Sequence, residues 1–358
     1  MRKPKDSGIH ISSKCFHNRL DQPELSKFGN ELVTAAVKAY GKVCARSPDN
    51  YCKELIDTLG VSDIILIDGT EISVRNSLSA QCECKGKLHA GLKLHVAFSL
   101  KKQSFEYINV TQAVDSERAE VPPEHYRNVL FIMDAGYCGH ELEERIVKSG
   151  NHYLIKGKTN MSGNVTRAFD GKGRLIKNCS WFMVSTAPEQ YDVYPQMDLQ
   201  VNEGRDKTQR IIRVKNQCRD GNERFAFLRT SLTLKQANAR QLHQLYRMRW
   251  VELTMKCLKS GNGLQGINSA KREIVLFWIC ICALCLVLKS MISLIATNTT
   301  DKPFLSMLKV HMPPHFQGFF NKLITLKDSA YYELRQNLIE KNRSELSKNE
   351  TVAKGQFM

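Results

Sequence analysis

The stretch Ile64-Ile65-Leu66-Ile67-Asp68-Gly69-Thr70 decides how this chain is read. Four consecutive large apolar residues, three of them β-branched, are too few for a helix and suit a strand buried on both faces. Asp68-Gly69-Thr70 reads as the turn that ends it. The same design returns downstream, where Val129-Leu130-Phe131-Ile132-Met133 runs into Asp134-Ala135-Gly136-Tyr137. Between the two, Lys93 to Leu100 alternates, with Leu94, Val96, Phe98 and Leu100 on one face, and Phe105 to Val110 forms a third strand. Asp115-Ser116-Glu117-Arg118-Ala119-Glu120 reads as a helix start capped by Asp115. Gly139 to Lys148 is an amphipathic helix closed by Gly150, and His152-Tyr153-Leu154-Ile155 is a fifth strand.

Three strands, a helix, a strand, a helix and a strand is the order of a ribonuclease-H-like sheet, in which three antiparallel strands precede crossover-connected parallel ones. The expected fold class is therefore α/β, a mixed sheet flanked by helices. Residues 157–224 read as a β-rich insertion, with turns at Asp170-Gly171-Lys172-Gly173 and Asp220-Gly221-Asn222 around strand-like pieces at Trp181–Val184 and Arg210–Val214. Phe225 to Leu228 is another strand, and a long helix runs from about Thr233 to Lys259. The expected organisation is a helical N-terminal region over 1–60, a catalytic domain over 61–156 and 225–270 interrupted by the insertion, a helical region over 271–339 and a polar tail over 340–358. Within the first region, Ser12 to Leu20 reads as a short helix and as a possible remnant of a DNA-binding module.

Composition narrows the function. Over 358 residues, Lys plus Arg is 52 against 36 for Asp plus Glu, a formal net charge of +16 that favours a polyanionic partner. Of the 12 cysteines seven are scattered singly, Cys82 and Cys84 form one Cys-x-Cys, and Cys280, Cys282 and Cys285 lie inside an apolar run, which is not the two convergent pairs of matching spacing a zinc site needs. Met1-Arg2-Lys3-Pro4-Lys5-Asp6 has no apolar segment behind it, so no secretory signal is expected and the expected location is the cytoplasm. Ile274 to Leu288 is apolar but shorter than the roughly 20 residues of a spanning helix, and it reads as a core helix rather than a membrane segment.

Two-metal phosphoryl transfer needs hard oxygen ligands on convergent rigid elements. Asp68 and Asp134 follow strands that neighbour each other in the expected sheet, so both carboxylates can share one Mg²⁺. Singly, either aspartate reads as a strand-end turn residue; the pair at matching places reads as a metal site. Tyr246-Arg247-Met248-Arg249-Trp250-Val251-Glu252 places one acid behind an aromatic pair and two arginines, and Lys256 and Lys259 follow. On a regular helix Arg249, Glu252, Lys256 and Lys259 fall within about 80° of one another. Glu252 is the candidate third ligand. The cations suit phosphate oxygens, although the i,i+4 spacing of Glu252 and Lys256 is also that of an ordinary surface pair.

This pattern resembles the DDE transposases of bacterial insertion sequences that carry a Tyr-Arg-Glu-Lys signature, the insertion-sequence-four superfamily. Tyr246, Arg249, Glu252 and Lys259 match it in type and order. His89 to His95, Asp134-Ala135-Gly136-Tyr137 and Phe225 to Leu232 are also similar to the family. The resemblance implies Asp68, Asp134 and Glu252 as catalytic ligands of two Mg²⁺ or Mn²⁺ ions. It implies Tyr246, Arg249 and Lys259, assisted by Lys256, as grips on DNA near the cleaved end. The implied partners are the element's terminal inverted repeats and target DNA, bound by a homodimer. Trp181, in the insertion, reads as a core residue before it reads as a base-stacking one. One spacing departs from the family: two residues separate Arg249 from Glu252 where the signature has three. On a regular helix the four signature residues then spread over about 140° instead of about 60°. The alternative expectation is accordingly a catalytically inactive DNA-binding remnant or regulator.

Overall fold

The computed structural model describes residues 12, 22–44, 50–84, 90–102, 104–159, 161–204, 208–217, 223–247 and 269–298. The chain divides into two compact units, Met1–Leu284 and Cys285–Met358, and every described strand belongs to the first.

The centre of that unit is an 11-stranded mixed sheet. Strands β1 (Asp63–Val74), β2 (Ala90–Ser99) and β3 (Ser104–Gln112) form an antiparallel meander. On the other side of β1 lie β4 (Val129–Met133) and then β5 (His152–Lys156), both parallel to it. The spatial order β3-β2-β1-β4-β5 is the mixed sheet expected for a ribonuclease-H-like fold, with helices on both faces. The inserted strands extend this same sheet. β11 (Glu223–Thr230) pairs antiparallel with β5, and β10 (Thr208–Gln217), β9 (Gln196–Asn202), β6 (Asn164–Asp170) and β7 (Leu175–Ile176) follow outward, with the short β8 (Trp181–Phe182) on β6.

Alternation along each strand sorts side chains to two faces. Ile64 and Leu66 of β1 join Leu130 and Ile132 of β4 on one face, under helix α2 (Asn50–Leu59) and helix α4 (Ala239–Arg247). Leu242 and Leu245 of α4 are fully buried there, each contributing roughly 1.5–3 kcal/mol. Ile65, Ile67, Phe131 and Met133 occupy the opposite face with Leu142 and Ile146 of α3 (His140–Lys148). A third cluster, around Val165, Leu199 and Ile211, fills the insertion. Helix α1 (Glu24–Cys44) lies against β3 and against α5 (Arg272–Asn298), where a Cβ on Gly29 would stand 2.9 Å from the Cys280 Cβ. No described helix is long and apolar enough to cross a membrane.

Three local readings are corrected. β1 does not end at Asp68: Glu71-Ile72-Ser73-Val74 keeps the buried-exposed alternation and stays paired with β2 as far as Val74 opposite Ala90. Asp115 to Glu120 is not the start of an α-helix. It becomes two 3₁₀ turns, Glu117–Glu120 and Pro123–His125, because Pro122 and Pro123 withhold the amide hydrogens a helix would need. The Asp115 carboxylate instead accepts from the Gln112 amide at 2.9 Å. The helix expected from Thr233 begins at Ala239. The Arg210 guanidinium donates to the carbonyls of Leu232 and Ala237, both at 2.6 Å. Asn238 and Gln241 then exchange side-chain to backbone bonds at 2.9 Å each, a reciprocal cap that fixes the start. Apart from Ser12, the short helix expected over Ser12–Leu20 lies outside the described residues, as do the turn at Asp220-Gly221-Asn222 and the stretch from Met248 to Lys259.

Candidate active site

Asp68 and Asp134 meet because of strand register. The parallel ladder of β1 and β4 ends at Leu66 opposite Ile132. Two residues further on each chain stand Asp68 and Asp134, level with each other and of one parity with the Leu66 and Ile132 face. Neighbouring strands are roughly 4.8 Å apart. Here β4 stops while β1 continues beside β2, so the sheet forks at the acids. Both are half-buried. The Asp134 carboxylate accepts from the Ala135 amide and caps the 3₁₀ turn Ala135–Tyr137.

The face carrying the two acids is the face on which α4 packs. Tyr246, in the last turn of α4, lies partly buried against the cluster of Leu130, Ile132 and Leu66. Arg249, Glu252, Lys256 and Lys259 are beyond the described residues. Among the described residues no three His, Cys, Asp or Glu side chains gather into a metal-binding group. The two aspartates nevertheless offer the hard oxygen donors that Mg²⁺ or Mn²⁺ prefers.

The opposite face of β1 holds residues that sequence reasoning did not assign to the site. Gly69 follows Asp68 and so faces the other way. A Cβ there would lie 3.2 Å from the Tyr137 hydroxyl and 3.3 Å from the Glu117 carboxyl carbon. A Cβ on Gly136, two residues after Asp134, would lie 2.2 Å from Glu117 Oε2. Glu117 therefore rests on the backbone of both acid-bearing segments, in space that only glycines leave open. Lys93 Nζ pairs with Glu117 Oε1 at 3.2 Å and donates to the Asp115 carbonyl at 3.3 Å. The Tyr137 hydroxyl is fully buried and has no hydrogen-bond partner among the described residues. Burial pushes its pKa far up, and Glu117, Tyr107, Asp68 and Asp134 raise it further, so the phenol stays protonated. The one sequence signal was Lys93 itself, a cation on the inward parity of a strand whose neighbours are buried.

His95, opposite Gly69 on β2, is also fully buried. Its Nε2 lies 2.9 Å from Thr111 Oγ1, while Nδ1 has no partner among the described residues. Burial, then Lys93, lowers its pKa to about 4 against an opposing effect of Asp115, so the ring is neutral near pH 7. Trp181 is a core residue. It stacks on Tyr191 with centroids 5.1 Å apart and packs against the insertion cluster.

The strands beyond β5 carry a second kind of polar group. Arg229 of β11 donates to Glu143 of α3 at 2.9 and 2.8 Å and also pairs with Glu203. Burial disfavours its charged form, but Glu203 and Glu143 more than offset that and hold the guanidinium ionised. Arg210 of β10 makes two bonds of 3.0 Å from its Nε to the carboxylate of Asp198.

The mixed sheet has the strand order of a ribonuclease-H-like fold, and Asp68 and Asp134 follow its neighbouring parallel strands β1 and β4 at matching places. The match to a family model agrees: residues 60–288, well over half the chain, match the transposase DDE domain, and the chain belongs to that family. A search of curated proteins returned no match.

Proposed function

We propose that this chain is a DNA transposase that cleaves the ends of its element and joins the freed 3′-hydroxyls to target DNA. The observation that carries the reading is the register of Asp68 and Asp134 on neighbouring parallel strands, on the face where α4 packs. Glu252, beyond the described residues, takes the third-ligand role. Asp68, Asp134 and Glu252 would hold a pair of Mg²⁺ ions, which supply charge neutralisation of the phosphate and activation of the attacking oxygen. Tyr246, Arg249, Lys256 and Lys259 grip the backbone beside the cleaved bond. The net charge of +16 draws the polyanion in. The catalytic domain spans 61–156 and 225–270, interrupted by the β-rich insertion of 157–224, and acts as a homodimer on the terminal inverted repeats in the cytoplasm.

The test is a strand-nicking assay on the element's own terminal repeat with Mg²⁺ or Mn²⁺. A nick that Asp134→Ala and Glu252→Ala each abolish supports the enzyme. Salt-sensitive binding with no nick in the wild type overturns it and marks a DNA-binding remnant, as the short spacing between Arg249 and Glu252 would then explain.

A further inference from the structure

We propose that Lys93, Glu117 and Tyr137 form a positioning layer for the acid pair, set behind the sheet at its fork. Glu117 spaces the two acid-bearing segments, Lys93 holds and neutralises Glu117, and the Tyr137 hydroxyl backs the strand at Gly69, next to Asp68. The layer rests on the metal-site reading of Asp68 and Asp134.

Three observations carry it. The Glu117 carboxyl touches the backbone at both Gly69 and Gly136, in the segments that bear Asp68 and Asp134, so its position and the gap between the acids are linked. The Glu117 carboxylate is held by a counter-charge, Lys93 Nζ at 3.2 Å, from a side chain 11% exposed. A fully buried hydroxyl without a partner among the described residues forgoes a hydrogen bond that its burial makes costly to lose. Tyr137 is locked in place by the turn that Asp134 caps, with its amide donating to the Asp134 carbonyl at 3.1 Å. Its hydroxyl thus belongs to the same rigid turn as one acid and touches the backbone next to the other. Groups that orient carboxylate ligands from behind set how tightly the ion is held.

The experiment measures Mn²⁺ binding to the full-length chain without DNA, from the paramagnetic resonance signal of the free ion. The melting temperature of each metal-free variant is recorded beside it. Tyr137→Phe keeps the ring and removes the donor; Glu117→Ala removes the spacer, and Glu117→Gln restores its shape. A weakening of about tenfold in Tyr137→Phe or Glu117→Ala, at unchanged melting temperature, supports the layer and names the residue that carries it. Recovery in Glu117→Gln assigns the spacing to shape, and continued weakness assigns it to the charge that Lys93 balances. Affinity within twofold of wild type in both Tyr137→Phe and Glu117→Ala overturns the layer, provided Asp134→Ala abolishes binding. If Asp134→Ala binds Mn²⁺ as the wild type does, the metal-site reading itself fails and the layer with it.

Discussion

The two ends of the sheet carry buried polarity differently. In the strands beyond β5, the buried charged side chains Arg213, Arg229, Asp170 and Asp198 all sit in ion pairs. Around the fork of β1 and β4, a phenol and an imidazole nitrogen are fully buried with no partner among the described residues. The indole Nε1 of Trp181 in the insertion also lacks one, but its ring stacks on Tyr191 in a hydrophobic cluster, whereas Tyr137 lies against the backbone next to Asp68. Unpaired buried polar groups cost free energy. Paired charges beyond β5 hold the architecture together; the unpaired groups at the fork lie beside the acid-bearing segments.

The sharpest way to break this contrast is to remove one member from each half. Asp134→Ala removes the carboxylate that caps the turn Ala135–Tyr137. It is expected to reduce strand nicking below detection while costing no more than the about 1 kcal/mol of a lost cap in urea unfolding. A larger loss would mean that Asp134 serves the fold, and the contrast would be lost.

Arg229→Met is the converse. It strands Glu143 and Glu203 without their cation and is expected to cost about 3–5 kcal/mol, read from urea unfolding. Loss of less than about 1 kcal/mol would place the triad with exposed pairs and deny these buried charges a structural role. Arg229 is 4% exposed, which argues for the larger figure.

Between these lies the junction of the two halves, the start of α4. Asn238→Ala removes the cap that Gln241 reciprocates and is expected to cost about 1 kcal/mol. Because α4 packs on the face that carries Asp68 and Asp134, nicking should fall by more than stability predicts. A proportional fall would mean that the cap matters only for folding.

Strand content was legible because apolar runs and alternation are local signals. Val129–Met133 reads as it folds, and the neighbouring of β1 and β4 follows from the order of elements. What escaped depends on groups distant in sequence. Nothing near Thr233 announces that Arg210 will take the carbonyls of Leu232 and Ala237. Nothing near Glu117 announces that Gly69 and Gly136 will open space for it. The continuation of β1 past Asp68 was visible in Glu71-Ile72-Ser73-Val74 and was hidden by the turn-like look of Asp68-Gly69-Thr70. Glycine there serves close approach rather than a turn.

The smallest effect sharpens the contrast by pH. The folded pKa of His95 is about 4 against an ordinary 6.5. Below pH 6.5 the unfolded chain therefore takes up a proton that the folded chain refuses until pH falls near 4. The contribution of His95 to stability is complete above pH 6.5 and is lost as pH falls from 6.5 toward 4. Carboxylates titrate in the same range, so the quantity to measure is the difference between wild type and His95→Asn in urea midpoint from pH 7 to pH 4. That difference should shrink or reverse on acidification. A constant difference would mean that the imidazole gains a proton as readily when folded as when unfolded. The fork would then hold one fewer group kept neutral by burial beside Lys93, and the case for treating it as chemically special would rest on Tyr137 and the acids alone.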